Sequence, residues 1–329
     1  MSGSQPGAHC GSTAAGSIRA WAPASVGNVA VGFDLLGHAL AGLGDTVTLC
    51  RSETPDIVIS DIRGVVTELP RATADNTAAR AVKALLDAHG IDQGCRIEIE
   101  KGIPLASGLG GSAASAVAAV VAANRLFGLG LSAEKLYPFA LAGETVASGA
   151  AHGDNVGPQL LGGLVLATAD RLVAIPVPAG LTAVAVHPEH RVNTRDARAC
   201  LAQPFELATV VRQQAALALV LSGCYDNDLE RIGAGLEDVM IEPRRAALVP
   251  GFAAVKAAAL DAGALGASIS GAGPTVFAWF AEAERAAVAA TKMVDAFAAA
   301  GKSATAHVSP VAAPGARVIA VDDDNEPDH

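Results

Sequence analysis

Residues Pro104 to Ala114 read PLASGLGGSAA, a glycine-rich turn that runs directly into a helix. Gly108, Gly110 and Gly111 remove the side chains that would hold an anion away from backbone N–H groups. Ser112 and the alanines behind it begin a helix whose positive end faces the same point. Such a turn is suited to phosphate.

Three phosphate-loop chemistries can be compared here, beside a purely structural glycine turn. A Walker A loop lacks its lysine, because no G-K-[ST] follows the glycines. A dinucleotide loop fits the spacing, since Gly108-Leu109-Gly110-Gly111-Ser112-Ala113 matches G-x-G-x-x-G/A. The stretch before it, Cys95 to Lys101, alternates Arg96, Ile97, Glu98, Ile99 and Glu100, which suits a half-solvated antiparallel strand better than a buried parallel one. The acidic residue that a dinucleotide fold places at a strand end roughly 20 positions on is also missing, because Glu134 opens a helix. A nucleoside triphosphate is the favoured ligand.

Outward from the loop, strands and helices mix without a regular repeat. Arg19 to Cys50 reads as strand segments around a glycine-rich loop, and Thr77 to His89 as a helix stopped by Gly90. Ser112 to Phe127 is a helix closed by Gly128, and Ser132 caps another that runs to about Ser148, before Gly149. Leu160 to Ala167 and Leu181 to His187 read as strands. Helices follow at Thr194 to Ala202, Phe205 to Leu221, Asp226 to Val239 and Phe252 to Ala262. Ala267 to Ser270 and Thr275 to Phe280 form a hairpin around Gly271-Ala272-Gly273-Pro274, then a helix at Glu282 to Ala300 precedes a last strand at Ala304 to Ser309. The class is α+β, with a boundary expected near residue 165.

Composition narrows the partners. The 329 residues suggest about two domains at roughly 150 residues each. Hydrophobic residues make up 51%, much of it alanine, and the most apolar run, Ala113 to Ala123, is too short for a membrane span. The N-terminus has no basic residue before Arg19 and no apolar segment, so it reads as a loose tail, not a signal peptide. Five scattered cysteines without a C-x-x-C read as reduced thiols in a cytosol, without zinc or disulfides. A net charge of −10, with an acidic tail from Asp322, argues against nucleic acid.

Four further clusters can carry chemistry. In APASVGNVAVGFD, Ala22 to Asp34, small residues surround Asn28 and Asp34, which could equally make an Asx-rich turn. Glu144 sits near the end of an apolar helix, where the dipole disfavours a carboxylate, so a positive partner is expected: magnesium, or an ordinary salt bridge. His152, Asp154 and Asn155 follow in a loop among small residues. Arg191, Arg195 and Arg198 surround Asn193-Thr194, and Arg244 and Arg245 follow Glu242-Pro243. Such guanidinium forks suit carboxylate or phosphate, or simply a solvated helix face.

Together these clusters resemble the GHMP small-molecule kinases, named for galacto-, homoserine, mevalonate and phosphomevalonate kinases. PLASGLGGSAA is similar to the family's phosphate loop P-x-x-x-G-L-G-S-S-A-A, and SGAGPT, 270 to 275, to its third motif. APASVGNVAVGFD, ETVASGAAHGDNVGPQLLGG (144 to 163), VNTRDAR (192 to 198) and IEPRR (241 to 245) resemble the homoserine kinase branch. The resemblance spans about Ile18 to Val318.

The resemblance implies a two-domain α+β fold. An N-terminal domain over 18–165, a mixed β-sheet with helices, would carry the phosphate loop. A ferredoxin-like C-terminal domain would span 166–320, with a disordered tail at 1–17 and an acidic one at 321–329. It implies ATP-dependent phosphorylation of the side-chain hydroxyl of L-homoserine in threonine biosynthesis, in the cytoplasm, by a homodimer using Mg2+. Other outcomes are a kinase of another small alcohol or an inactive nucleotide sensor. By the resemblance Pro104, Leu105, Ala106, Ser107, Gly108, Leu109, Gly110, Gly111, Ser112, Ala113 and Ala114 would wrap the ATP phosphates, with Asn76 on the adenine side and Ser112 and Glu144 holding Mg2+. Asn28, Asp34, His152, Asp154, Asn155, Thr194, Arg198, Arg245 and Gly271 would line the amino-acid pocket.

Position 155 bears on mechanism. Mevalonate-type members of the family carry an aspartate there as base and a lysine in the first motif, whereas this chain has Asn155 and no lysine between Trp21 and Asp34. An amide accepts no proton at neutral pH, so catalysis is expected to rest on positioning and charge stabilisation. Two residues depart from the family pattern: Gly111 replaces the first serine of the loop pair, and Ala30 stands where glycine is usual, so the turn after Asn28 is expected to differ.

Overall fold

The computed structural model describes residues 16–148 and 152–322. The expected tails lie mostly outside the described residues, as does the expected helix stop at Gly149; Ser17 and residues 321–322 are in strands.

The first half is built on β1 (Ser17–Gly27), β2 (Leu36–Arg51), β3 (Ile57–Gly64), β4 (Cys95–Lys101), β5 (Leu164–Ala167) and β6 (Leu172–Ile175), joined by β11 (Arg317–Asp322) from the far end of the chain. They form a seven-stranded mixed sheet of order β11-β1-β2-β4-β3, with β5 paired to β2 and β6 to β5. The sheet is antiparallel except for β3 with β4. The boundary expected at residue 165 falls inside β5, a strand of this sheet.

Helices α1 (Thr77–Ala88), α2 (Gly111–Leu126) and α4 (Gly153–Leu161) pack with this sheet, and α3 (Ala133–Ser148) packs on those three helices. The run of alanine and valine in α2 is apolar all round, and a helix of that kind must be buried. Residues Ala113 to Val120 are all buried, so the helix that starts at the phosphate loop is fixed in the middle of the core.

Four expectations are corrected here. β4 is bonded on both sides, antiparallel to β2 and parallel to β3, and Glu98 is only 4% exposed, 3.5 Å from Arg63. Alternating polarity misled because Arg63 on β3 supplies a partner for the inward carboxylate. The segment after His152 is α4 and not a loop, and it takes in Leu160 and Leu161, which had read as strand. β11 follows the strand expected to be last. Among the cysteines, Cys95, Cys200 and Cys224 are free thiols, but Cys50 is disulfide-bonded, so the expectation of five reduced thiols fails there; Cys10 lies outside the described residues.

The second half contains β7 (Thr182–Pro188), α5 (Thr194–Ala199), α6 (Leu207–Asp226), α7 (Leu229–Gly235), the short α8 (Glu242–Arg245), α9 (Phe252–Asp261), β8 (Gly266–Ile269), β9 (Val276–Phe280), α10 (Ala283–Ala299) and β10 (Ala304–Pro310). Its antiparallel sheet has the order β10-β7-β9-β8. With α9 before β8 and α10 after β9, this is the βαββαβ ferredoxin-like arrangement. Period-two alternation divides the sheet between two cores. Val184, Val186, Val276, Ala278 and Phe280 pack with Met293 and Phe297 of α10, while Ala183, Ala185, Phe277 and Trp279 join the core of the first half. Across that junction the Trp279 indole donates to His38 Nε2 (3.2 Å), and the opposite ring nitrogen, Nδ1, faces Ala39 O (2.9 Å).

Among the described residues, α6 alone is long and apolar enough to cross a membrane by length and composition. It packs on α7, where a Cβ added at Gly223 would lie 2.8 Å from Ile232.

Candidate active site

The phosphate loop leaves β4 and enters α2, and its shape depends on backbone that only some residues adopt. Ala106, Gly108 and Gly110 have positive φ (53°, 79° and 69°). At two of these, glycine is also required by space. A Cβ on Gly108 would sit 2.5 Å from Ser270 O, and one on Gly110 would sit 2.4 Å from Ser25 Oγ. Five consecutive carbonyls are held by donors. Ser107 O accepts from Thr275 Oγ1 (2.7 Å), Gly108 O from Ser270 Oγ (2.7 Å), Leu109 O from Ser25 N (3.1 Å), Gly110 O from Gln159 Nε2 (2.9 Å) and Gly111 O from Lys101 Nζ (2.6 Å). The first two donors belong to the SGAGPT segment, so the second half of the chain holds the loop of the first. Lys101 is itself paired with Asp45, and both are buried; Asp45 also accepts from Gly102 N, Ile103 N and Ser115 Oγ, joining the two ends of the loop.

A cleft of about 1030 Å3 opens over this loop. It is lined by Pro104, Leu105, Ala106, Ser107, Gly108, Gly110, Gly111 and Ser112 of the loop, and by every residue expected in the amino-acid pocket, from Asn28 to Gly271. Leu109, Ala113 and Ala114 are buried instead, anchoring the loop. Asn76 does not line the cleft. It caps α1, accepting from Ala78 N and Ala79 N and donating to Pro70 O, so its polar atoms are already engaged.

The polar pocket is set by a left-handed turn. Asn28, Val29 and Ala30 have φ of 68°, 40° and 57°, and Asp34 has 59°. For residues with a Cβ this costs about 1–2 kcal/mol each, most awkwardly at β-branched Val29. Ala30 thus keeps the left-handed backbone that glycine would adopt freely. Asn28 holds the turn closed: Oδ1 accepts from Asp34 N (3.0 Å) and Nδ2 donates to Gly271 O (2.9 Å).

Asp34 faces an arginine and a histidine. Arg198 donates to both its oxygens (2.7 and 3.0 Å), and His152 Nδ1 lies 3.3 Å away. Burial and the Arg198 charge lower the pKa of His152, against the pull of Asp34. Arg245 is buried, bonded to Ala197 O and Gly271 O, and together with Arg198 lies over the ring of Phe33, at 5.2 and 5.3 Å from its centroid. Arg244 points away, to Gln203 O and Pro204 O, and lies over Phe205.

Asp154 and Asn155 occupy the first turn of α4, after His152 at its N-cap. Burial, then the negative charge of Asp34, pushes the pKa of Asp154 up to about 7. Its Oδ2 accepts from Asn28 N (3.1 Å) and its Oδ1 from Asn155 Nδ2 (3.2 Å), while Asn155 Oδ1 accepts from Ser25 Oγ (2.9 Å). Glu144 of α3 meets the Ser112 hydroxyl, and burial raises its carboxyl to about 7. A hydroxyl and a carboxylate at the mouth of the phosphate loop are hard oxygen donors, as Mg2+ requires. An added positive charge there would offset the burial of Glu144.

Ser25, Phe33, Asp45, Lys101 and Gln159 were not anticipated. Lys101 ends the alternating strand just before the loop, and Ser25, Phe33 and Gln159 lie inside motifs quoted above, positions that could have flagged them; Asp45 carries no sequence signal.

The chain also matches known families and proteins. The GHMP kinases N terminal domain profile matches residues 76–163, and the GHMP kinases C terminal profile residues 216–299. A homoserine kinase of Xylella fastidiosa is 54% identical over 93% of this chain and 95% of its own length. The chain belongs to the homoserine kinases of the GHMP kinase family. A homoserine kinase of Xanthomonas campestris is 53% identical over 92% of this chain and 94% of its own. The crystal structure of homoserine kinase from Cytophaga hutchinsonii superposes with a TM-score of 0.89 at 42% identity, covering 93% of this chain and 98% of that one. At 17% identity, a mevalonate kinase of L. major in complex with R-mevalonate shares the fold, with a TM-score of 0.66. Membership in this family makes the chain a kinase that uses ATP.

Proposed function

We propose that this chain transfers the γ-phosphoryl group of ATP to the side-chain hydroxyl of L-homoserine. One observation carries the reading: a phosphate loop and an aspartate–arginine pair share one cleft, which Asn155 also lines. In the free site Asp34 and Arg198 satisfy each other. A zwitterionic amino acid offers an ammonium for the carboxylate and a carboxylate for the guanidinium, replacing one internal pair by two external ones. Arg245, fixed by Ala197 O and Gly271 O, supplies a second positive charge beside the first.

Loop N–H groups and the N-terminus of α2 bind the triphosphate. Ser112 and Glu144 would hold Mg2+, which when bound supplies charge neutralisation on the phosphates. With Oδ1 held by Ser25, Asn155 donates its remaining Nδ2 hydrogen to the substrate hydroxyl, removes no proton, and orients the hydroxyl toward the γ-phosphate. Phosphoryl transfer through a loose transition state asks little of a base, so positioning and preorganised dipoles suffice. On the same resemblance we infer a cytoplasmic homodimer.

The test is ADP release by purified protein with Mg-ATP against L-homoserine, L-serine, L-threonine, mevalonate and galactose. Homoserine-selective turnover is expected. Preference for another alcohol would overturn the substrate, and tight ATP binding without turnover would make the chain a sensor.

A further inference from the structure

Of the donors that hold the phosphate loop, Gln159 is the one that shares a helix with Asn155. The two residues are one turn apart on α4 and share a face. Gln159 is fully buried, and both hydrogens of its amide are used: Nε2 donates to Gly110 O (2.9 Å) and to Ser25 Oγ (3.0 Å). Because Ser25 Oγ accepts there, its own hydrogen goes to Asn155 Oδ1 (2.9 Å).

The direction of this chain is fixed by chemistry. Flipping the Gln159 amide would set Oε1 against the Gly110 carbonyl, two acceptors with no hydrogen between them. Oε1 itself is buried without a hydrogen-bond partner among the described residues, a cost to the fold that an apolar side chain would avoid. A Cβ on Gly110 would strike three members of the cluster, at 2.4 Å (Ser25 Oγ), 2.6 Å (Gln159 Nε2) and 2.8 Å (Asn155 Oδ1). The turn that opens α2 and the amide that faces the cleft are therefore packed through one polar contact.

We propose that Gln159 is a positioning residue that holds the phosphate loop and Asn155 in a single register, with Ser25 as the link. This rests on the reading of Asn155 given above. With Oδ1 committed to Ser25, Asn155 presents a defined edge to the hydroxyl only while the loop carbonyl is in place.

The experiment compares Gln159→Met, which keeps length and loses both donors, with Ser25→Ala, each alone and with Asn155→Ala. ATP affinity is measured by calorimetry without homoserine, and kcat at saturation of both substrates. Gln159→Met is expected to weaken ATP binding and lower kcat, each by about two- to tenfold, the range of a lost buried hydrogen bond. Ser25→Ala is expected to lower kcat and leave ATP affinity unchanged, because the Gln159–Gly110 bond survives. In the Asn155→Ala background, Gln159→Met should still weaken ATP binding yet no longer lower kcat. A residue that merely supports the fold would move the melting temperature alone. Unchanged ATP affinity in Gln159→Met, or an equal kcat loss in both backgrounds, would overturn the proposal. Should Gln159→Met fail to fold, Ser25→Ala decides by itself: equal losses of kcat and ATP affinity reject the link. If Asn155→Ala leaves kcat intact, the reading of Asn155 fails and the coupling fails with it, a result distinct from additivity.

Discussion

The phosphate loop and the amino-acid pocket share a cleft but are made from different material. The loop is eleven consecutive residues whose working groups are backbone N–H, with two of its three positive-φ positions on glycine. The pocket gathers residues from Asn28 to Gly271, its entry turn puts Asn28, Val29, Ala30 and Asp34 at positive φ without a glycine, and Asp34 and Arg198 are paired with each other before any ligand arrives. Backbone dipoles do not titrate and cannot be mutated away, so the loop offers a fixed field for any nucleotide phosphate. Specificity for one small alcohol needs side chains of defined charge and place, and the pocket stores both strain and unfavourable protonation to provide them.

That contrast can be broken most forcefully by pH. Asp154 titrates near 7 when folded and near 3.8 when exposed, so its contribution to stability is full below about 4 and is lost as pH rises toward 7. Up to about 4 kcal/mol is involved. Chemical denaturation of the ligand-free protein from pH 4 to 8 should show Asp154→Asn gaining stability on the wild type as pH rises; parallel curves would mean that the pocket holds no such stored charge.

Next in size is Gly110→Ala, which adds a Cβ at φ 69° into contacts under 3 Å. A loss of about 3 kcal/mol, roughly a hundredfold in ATP affinity, is expected, with a smaller loss of homoserine binding because the added Cβ also meets Asn155 Oδ1. Calorimetry that found ATP binding intact would show that the loop adapts.

Arg198→Met attacks the other side. Homoserine KM should rise about thirtyfold, near 2 kcal/mol, while ATP affinity holds. Initial-rate kinetics in both substrates separates the two, and a matched loss of ATP affinity would erase the division drawn here. The smallest effect belongs to Phe33→Leu, which removes the ring under both guanidiniums. About 1 kcal/mol, or a fivefold rise in homoserine KM, follows from two exposed-to-buried cation–π contacts. An unchanged KM would leave Arg198 and Arg245 fixed by hydrogen bonds alone.

Much of the fold could be read in the chain because its signals were local. Gly90 and Gly128 end the helices they were expected to end, Asn76 and the α2 alanines mark helices, and the hairpin around 271–274 is where its turn residues place it. β11 was missed because its partner β1 lies almost 300 residues away, and nothing local records such a pairing. α4 was read as loop because Gly153, Gly157 and Pro158 weaken a helix in isolation; burial against β2, β5 and α3 overrides that propensity. The residues expected in the pocket line one cleft, whereas Asn76 caps α1 and does not line it.

The sequence by itself determined the anion-binding turn, its helix and the set of polar residues available for chemistry, since each follows from neighbours in the chain. Only the tertiary structure decided that Lys101 pairs with Asp45 beneath the loop, that Gln159 and Ser25 link the loop to Asn155, and that Asp34 meets Arg198 across 164 positions. Those contacts join elements from different parts of the chain. Their partners are chosen by burial and charge, which act through space.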